Sequence, residues 1–107
     1  MKKILFIALI VMSNFVLAAW QVDTTVKEVV IEGGNDGSRT YVVFEDKFNP
    51  TSCSNNSGFI RIYANTQKGE YLISAMLTAY VSKSVVMPNI GGCDDWGRPI
   101  LTGVRVK

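Results

Sequence analysis

The chain has no histidine, and that absence removes more chemistry than any other feature of its composition. Without imidazole there is no Ser-His-Asp or Cys-His nucleophile system and no histidine-held metal. Cysteine is scarce too, with only Cys53 and Cys93 present. A zinc site needs about four ligands, and two thiolates without histidine fall short. No phosphate-cradling motif appears, because Gly33-Gly34 and Gly91-Gly92 lack the strand-to-helix setting. Basic residues are scattered, and no run is longer than Lys2-Lys3. Repeats, low-complexity tracts and interdomain linkers are absent. Carboxylate pairs survive these exclusions. The densest, Asp94-Asp95, reads most simply as turn formers, and calcium there would need several further oxygen ligands at suitable spacing. No catalytic residue, cofactor or metal is expected.

What is present begins with an export signal. Lys2 and Lys3 form a short positive region, and Ile4 to Val11 is an unbroken apolar run. After Met12, Ser13 and Asn14 the run resumes, and Val16-Leu17-Ala18 puts small residues where signal peptidase expects them. A membrane anchor needs about 20 apolar residues, and this run is shorter and interrupted. No cysteine follows it, which argues against a lipid anchor. The expectation is a signal peptide over residues 1–18, a single domain over residues 19–107, and a secreted or periplasmic product. Cleavage after Ala19 is the alternative. Two of the eleven basic residues leave with the signal, so nine basic residues face nine acidic ones in the mature chain. A neutral domain lacks the positive excess that neutralises phosphates, so nucleic acid is not expected as a partner.

In an oxidising compartment an even cysteine pair favours a disulfide. Bridging Cys53 and Cys93 closes a loop of about 40 residues and constrains the unfolded chain by about 4 kcal/mol.

The mature chain reads as strands around one helix. Thr25 to Ile31 is rich in β-branched residues, and Thr40 to Glu45 returns after the turn-forming Gly33-Gly34-Asn35-Asp36-Gly37. A polar loop over Asn49–Gly58 precedes a third strand, Phe59 to Ala64, with Ile60 and Ile62 on the core face. Asn55-Asn56-Ser57 matches the glycosylation sequon, a pattern too common to weigh here. From Glu70 to Ser82 the period becomes helical: Leu72, Ala75, Met76, Ala79 and Tyr80 recur on one side. Ile73 and Leu77 widen that apolar surface beyond one core-facing stripe and are the expected interface positions of a homo-oligomer. Ser84 to Met87 reads as a short strand stopped by Pro88, and Pro99 opens the last strand.

The order β-β-β-α-β-β is that of the OB-fold, a partly open five-stranded barrel with a helix between its third and fourth strands. The expected fold is therefore a β-rich, five-stranded OB-like barrel, with an antiparallel sheet carrying one helix as the alternative. One tension goes with it. The loops after the second and fourth strands are expected at opposite ends of the barrel, yet those loops carry the two cysteines.

With catalysis set aside, a binding module remains, directed at a glycan or a protein partner. An accessory envelope protein without a small ligand and an inhibitor of a foreign hydrolase are the rivals. Trp96 is the most informative residue, lying in a glycine-bounded loop beside the expected bridge. An aromatic ring with Asp94 and Asp95 beside it suits a sugar or a protein hot spot. The plainer reading is that Trp96 folds over the disulfide and closes the core. Tyr41 and Tyr63 are expected to form a cross-strand pair on the outer face.

The set Cys53, Gly58, Leu72-Ile73-Ser74-Ala75-Met76-Leu77-Thr78-Ala79-Tyr80, Val85-Val86, Gly92-Cys93, Pro99 and Val104 resembles a group of short exported bacterial proteins with a paired cysteine and a Leu-Thr-Ala-Tyr helix. The arrangement is also similar in architecture to the OB-type B subunits of AB5 toxins. That resemblance implies a pentameric, glycan-binding protein, and no receptor-binding residue carries over by a matching motif.

Overall fold

The computed structural model describes residues 18–33 and 39–107. The expected signal peptide lies outside the described residues except for Ala18, as do Gly34 to Ser38 of the first turn. Seven elements follow in order: β1 (Ala19–Trp20), β2 (Thr24–Glu32), β3 (Arg39–Phe44), β4 (Ile60–Ile62), α1 (Gln67–Ser82), β5 (Val85–Cys93) and β6 (Pro99–Val106). The strands pair in the order β1-β5-β2-β3-β4-β6, and an additional β5–β6 pairing closes the ring. The β4–β6 contact is parallel, at Arg61 and Ile100, and every other strand pair is antiparallel. This is the OB-like arrangement, not the wholly antiparallel sheet.

The same pairings remove the expected tension over the cysteines. β3 is antiparallel to β4, β4 is parallel to β6, and β6 is antiparallel to β5. So β3 and β5 run in the same direction, and the loops that follow them leave the barrel at the same end. The expectation of opposite ends was wrong because it overlooked what one parallel pair does to strand direction. Cys53 and Cys93 are bonded, with their Cα atoms 5.7 Å apart.

Alternation along β3 sorts the residues cleanly. Thr40, Val42 and Phe44 enter the core, opposite Ile62 and Ile60 of β4. In β2 the register slips between Val26 and Glu28. Such a bulge puts two residues opposite one and resets which face follows. Val26 and Val29 consequently both reach the core, while Glu28, Val30 and Glu32 lie across from Val43, Tyr41 and Arg39. Lys27 to Glu32 would otherwise turn the opposite way.

The helix plugs the barrel with Leu72, Met76 and Ala79, as its spacing predicts. It starts three residues earlier than the periodicity alone suggests, because Thr66 caps it: the Thr66 hydroxyl accepts from Gly69 N at 2.9 Å. Gly69 is buried, and a Cβ there would stand 1.7 Å from the carbonyl oxygen of Tyr63. No side chain fits where the helix meets the end of β4.

Pro88 does not stop β5, which continues to Cys93. Its ladder to β6 becomes irregular from Asn89 onward, a setting in which a strand tolerates proline. β1 lies along the same edge of β5 as β2, with Ala19 opposite Ile90 and Trp20 opposite Asn89.

Candidate functional site

The barrel's outer surface is where this chain concentrates unusual side chains. β3 turns Arg39 and Tyr41 outward, β4 contributes Arg61, and Phe59 lies just before it. The β5–β6 loop, residues 94–98, lies over this face and adds Trp96 and Arg98. In OB-type barrels the corresponding strand face and loop are the usual binding surface.

The loop is held from beneath by Asp94. Its carboxylate is fully buried; Oδ2 lies 3.3 Å from Arg61 Nη1. Oδ1 accepts from the backbone N–H groups of Trp96 and Arg98, at 2.9 and 2.8 Å. An aspartate that accepts from the backbone two residues on makes an Asx turn. Cys93 adds the disulfide immediately before it. Gly97 has φ 74°, and its N–H donates to the Asp94 carbonyl, closing the turn. These contacts present Trp96 on a fixed platform.

Trp96 is 51% exposed, so it does not close the core. Asp94 is placed otherwise than expected. Its carboxylate is bonded to Arg61 and the loop backbone and is turned inward, away from the surface. Asp95 is exposed beside Trp96. The expected Tyr41–Tyr63 pair does not form, because the register sets Tyr41 opposite Arg61. Tyr41 instead stacks on Phe59, with ring centroids 5.6 Å apart, and the Arg61 guanidinium lies 4.7 Å from the Tyr63 ring centre.

Arginines interleave these rings. The Arg98 guanidinium lies 4.5 Å from the Tyr41 ring centre, 5.7 Å from that of Phe59 and 5.2 Å from that of Trp96. Its Nη1 donates to the Tyr41 hydroxyl. Arg39 lies over Trp96 at 5.3 Å. Each such contact contributes about 0.5–1 kcal/mol at an exposed site. Tyr41 is therefore only 3% exposed although it lies on the outer face.

No family model, no curated protein and no solved structure matches this chain.

Beside Trp96 the surface sinks into a pocket of about 220 Å³. Glu28, Val30 and Glu32 of β2 form one wall; Arg39, Tyr41, Phe59, Trp96 and Arg98 complete it. Of these, sequence reading singled out Trp96 as a binding residue and Tyr41 only as half of a cross-strand pair. The others come from three separated segments and meet only when the barrel closes. A signal was available in the two-residue alternation Glu28-Val30-Glu32 and Arg39-Tyr41, which marks the outer face of a hairpin.

The helix positions part company. Ile73 is half-buried against the core, while Leu77 is 40% exposed. Leu77 continues into Tyr80 and Val81, which are 47% and 79% exposed. The apolar surface of α1 therefore centres one turn later than Ile73 and Leu77 suggest. Among the described residues no helix is long and apolar enough to cross a membrane.

Proposed function

We propose that this chain is an exported, non-enzymatic binding module that recognises a glycan or protein partner through the face around Trp96. The observation that carries the reading is the half-exposed Trp96 on a turn fixed by a buried aspartate and a disulfide. A loop ordered before binding loses less conformational entropy on contact. Trp96→Ala is expected to lower folding stability by only about 1–2 kcal/mol, because half of the residue stays in solvent and two stacking contacts are lost. It is expected to weaken partner capture by about 2 kcal/mol or more. Thermal melts, together with glycan arrays and pull-downs from envelope extracts, measure the two effects. A collapse in melting temperature would return Trp96 to a structural role.

Export rests on the Lys2-Lys3 and apolar-run pattern, and the Cys53–Cys93 bond is compatible with an oxidising compartment. Self-association rests on Leu77, Tyr80 and Val81, an apolar strip on the outer side of α1. One preparation from the exported fraction tests both. Mass spectrometry is expected to find the N-terminus at Ala19 or Trp20, and light scattering to find a mass above one protomer that Leu77→Lys reduces. Intact Met1 or a strict monomer at high micromolar concentration removes the respective part.

A further inference from the structure

The pocket beside Trp96 carries an ordered pattern of charge. Glu28 and Glu32 stand on β2, with Glu32 opposite Arg39 of the neighbouring strand, and Arg39 and Arg98 both lie over Trp96. None of the four forms an ion pair with a described residue; the ion pairs among the described residues are Arg61–Asp94 and Lys107–Asp23. Val30, Tyr41, Phe59 and Trp96 supply the apolar lining.

The arginines are poised as donors. Stacking on a ring uses the face of a guanidinium and leaves its in-plane N–H groups pointing outward. The Arg39 guanidinium has no hydrogen-bond partner among the described residues. Arg98 spends Nη1 on Tyr41, while its Nε is buried without a partner. Two guanidiniums within 5.3 Å of one ring centre match a carboxylate, which accepts paired N–H donors. On β2 two carboxylates match an ammonium, which has three donors and no acceptor. The volume of about 220 Å³ suits one side chain and not a folded surface.

We infer that this pocket takes a zwitterionic end group, an ammonium and a carboxylate joined by a short methylene stem, and that its partner is a protein ending in lysine. The stem lies along Val30, Tyr41, Phe59 and Trp96, as long lysine stems do on apolar surfaces. Its ammonium faces Glu28 and Glu32, and its carboxylate faces Arg39 and Arg98. Other occupants fit less well. A sugar stacking on Trp96 competes with two guanidiniums already over that ring. A polyanion meets Glu28 and Glu32. A simple cation meets Arg39 and Arg98. The inference rests on the reading of the Trp96 face as the binding surface and names the ligand for it.

The test uses 6-aminohexanoate and Nα-acetyl-lysine as probes of the mature protein. Trp96 fluorescence is followed in a Trp20→Phe background. A saturable change is expected for both probes. Hexanoate and hexylamine, each lacking one charge, are expected to bind about tenfold more weakly or worse, as is Nα-acetyl-lysine methylamide. Glu32→Gln and Arg39→Gln, both at exposed positions, are expected to weaken 6-aminohexanoate about tenfold while melting near wild type. Equal binding of hexanoate or hexylamine, or no saturable change, overturns the inference, and these comparisons need no variant to fold. In that event, loss of glycan or protein capture by Trp96→Ala leaves the binding face standing. Capture unaffected by Trp96→Ala removes both readings.

Discussion

Replacing Asp94 with alanine is expected to cost about 3–5 kcal/mol of folding stability, the largest loss of any single side chain in the loop. The carboxylate is fully buried, and Arg61 opposite it is 16% exposed. Removing one partner of such a pair strands the other charge in a poorly solvated site. Arg61 is already short of partners, since its Nε is buried without one. The backbone N–H groups of Trp96 and Arg98 lose their acceptor as well. Each unpaired donor adds about 1–3 kcal/mol if water cannot reach it, and loop relaxation recovers part of that. Asp94→Asn separates the contributions. Its amide oxygen keeps the Asx turn but leaves Arg61 without a counter-charge, so it is expected to lose less than alanine does. Urea denaturation of the two variants and wild type measures this. Equal stability of Asp94→Ala and wild type would show that the turn does not depend on its aspartate.

Asp94 also shows where reading the sequence stops. Two adjacent acids next to a tryptophan look alike on paper. The fold separates them, burying Asp94 as the loop's internal anchor and leaving Asp95 outside. The sequence Asp-Asp-Trp-Gly carries a local hint, because an aspartate two residues before a backbone donor favours an Asx turn. The half-buried arginine that completes the anchor comes from β4, and no local pattern announces it. The fold itself was more legible. Alternation in Thr40 to Phe44 and Ile60 to Ile62, and helical spacing of Leu72, Met76 and Ala79, report core contacts that any barrel of this order makes. Direction was less so. A single parallel contact at Arg61 and Ile100 decides which loops share an end, and it is a property of ring closure that no segment carries alone. The same closure assembles Glu28, Glu32, Arg39 and Arg98 around Trp96; alternation marks the three hairpin residues as outward-facing, but no local pattern places them beside the loop.

The bridge is the second large determinant. Cys53 and Cys93 are 40 residues apart in sequence, and a bond across that span restricts the unfolded chain by about 4 kcal/mol. Cys53→Ser is therefore expected to cost about 2–5 kcal/mol, a large share of the stability of a domain this small. The structure says how the loss should be distributed. Cys53 is buried, and its segment is held near the end of β5 by other contacts: Thr51 Oγ1 donates to the Gly92 carbonyl at 3.1 Å, and Asn55 N donates to the Gly97 carbonyl at 2.9 Å. Gly97 sits under the same segment, since a Cβ there would stand 2.2 Å from Ser54 Oγ. These contacts keep the two loops together in the native state without the bond. The reduced or Cys53→Ser protein is accordingly expected to fold to the same barrel at a lower melting temperature, with Trp96 in the same environment. Far-UV and near-UV circular dichroism in the presence and absence of a thiol reductant test this. Parallel loss of near-UV signal and binding well below the unfolding temperature would mean that the bond itself shapes the Trp96 loop. Retention of both, with an earlier melt, would place its effect in the unfolded chain, where a long loop is the expensive thing to close.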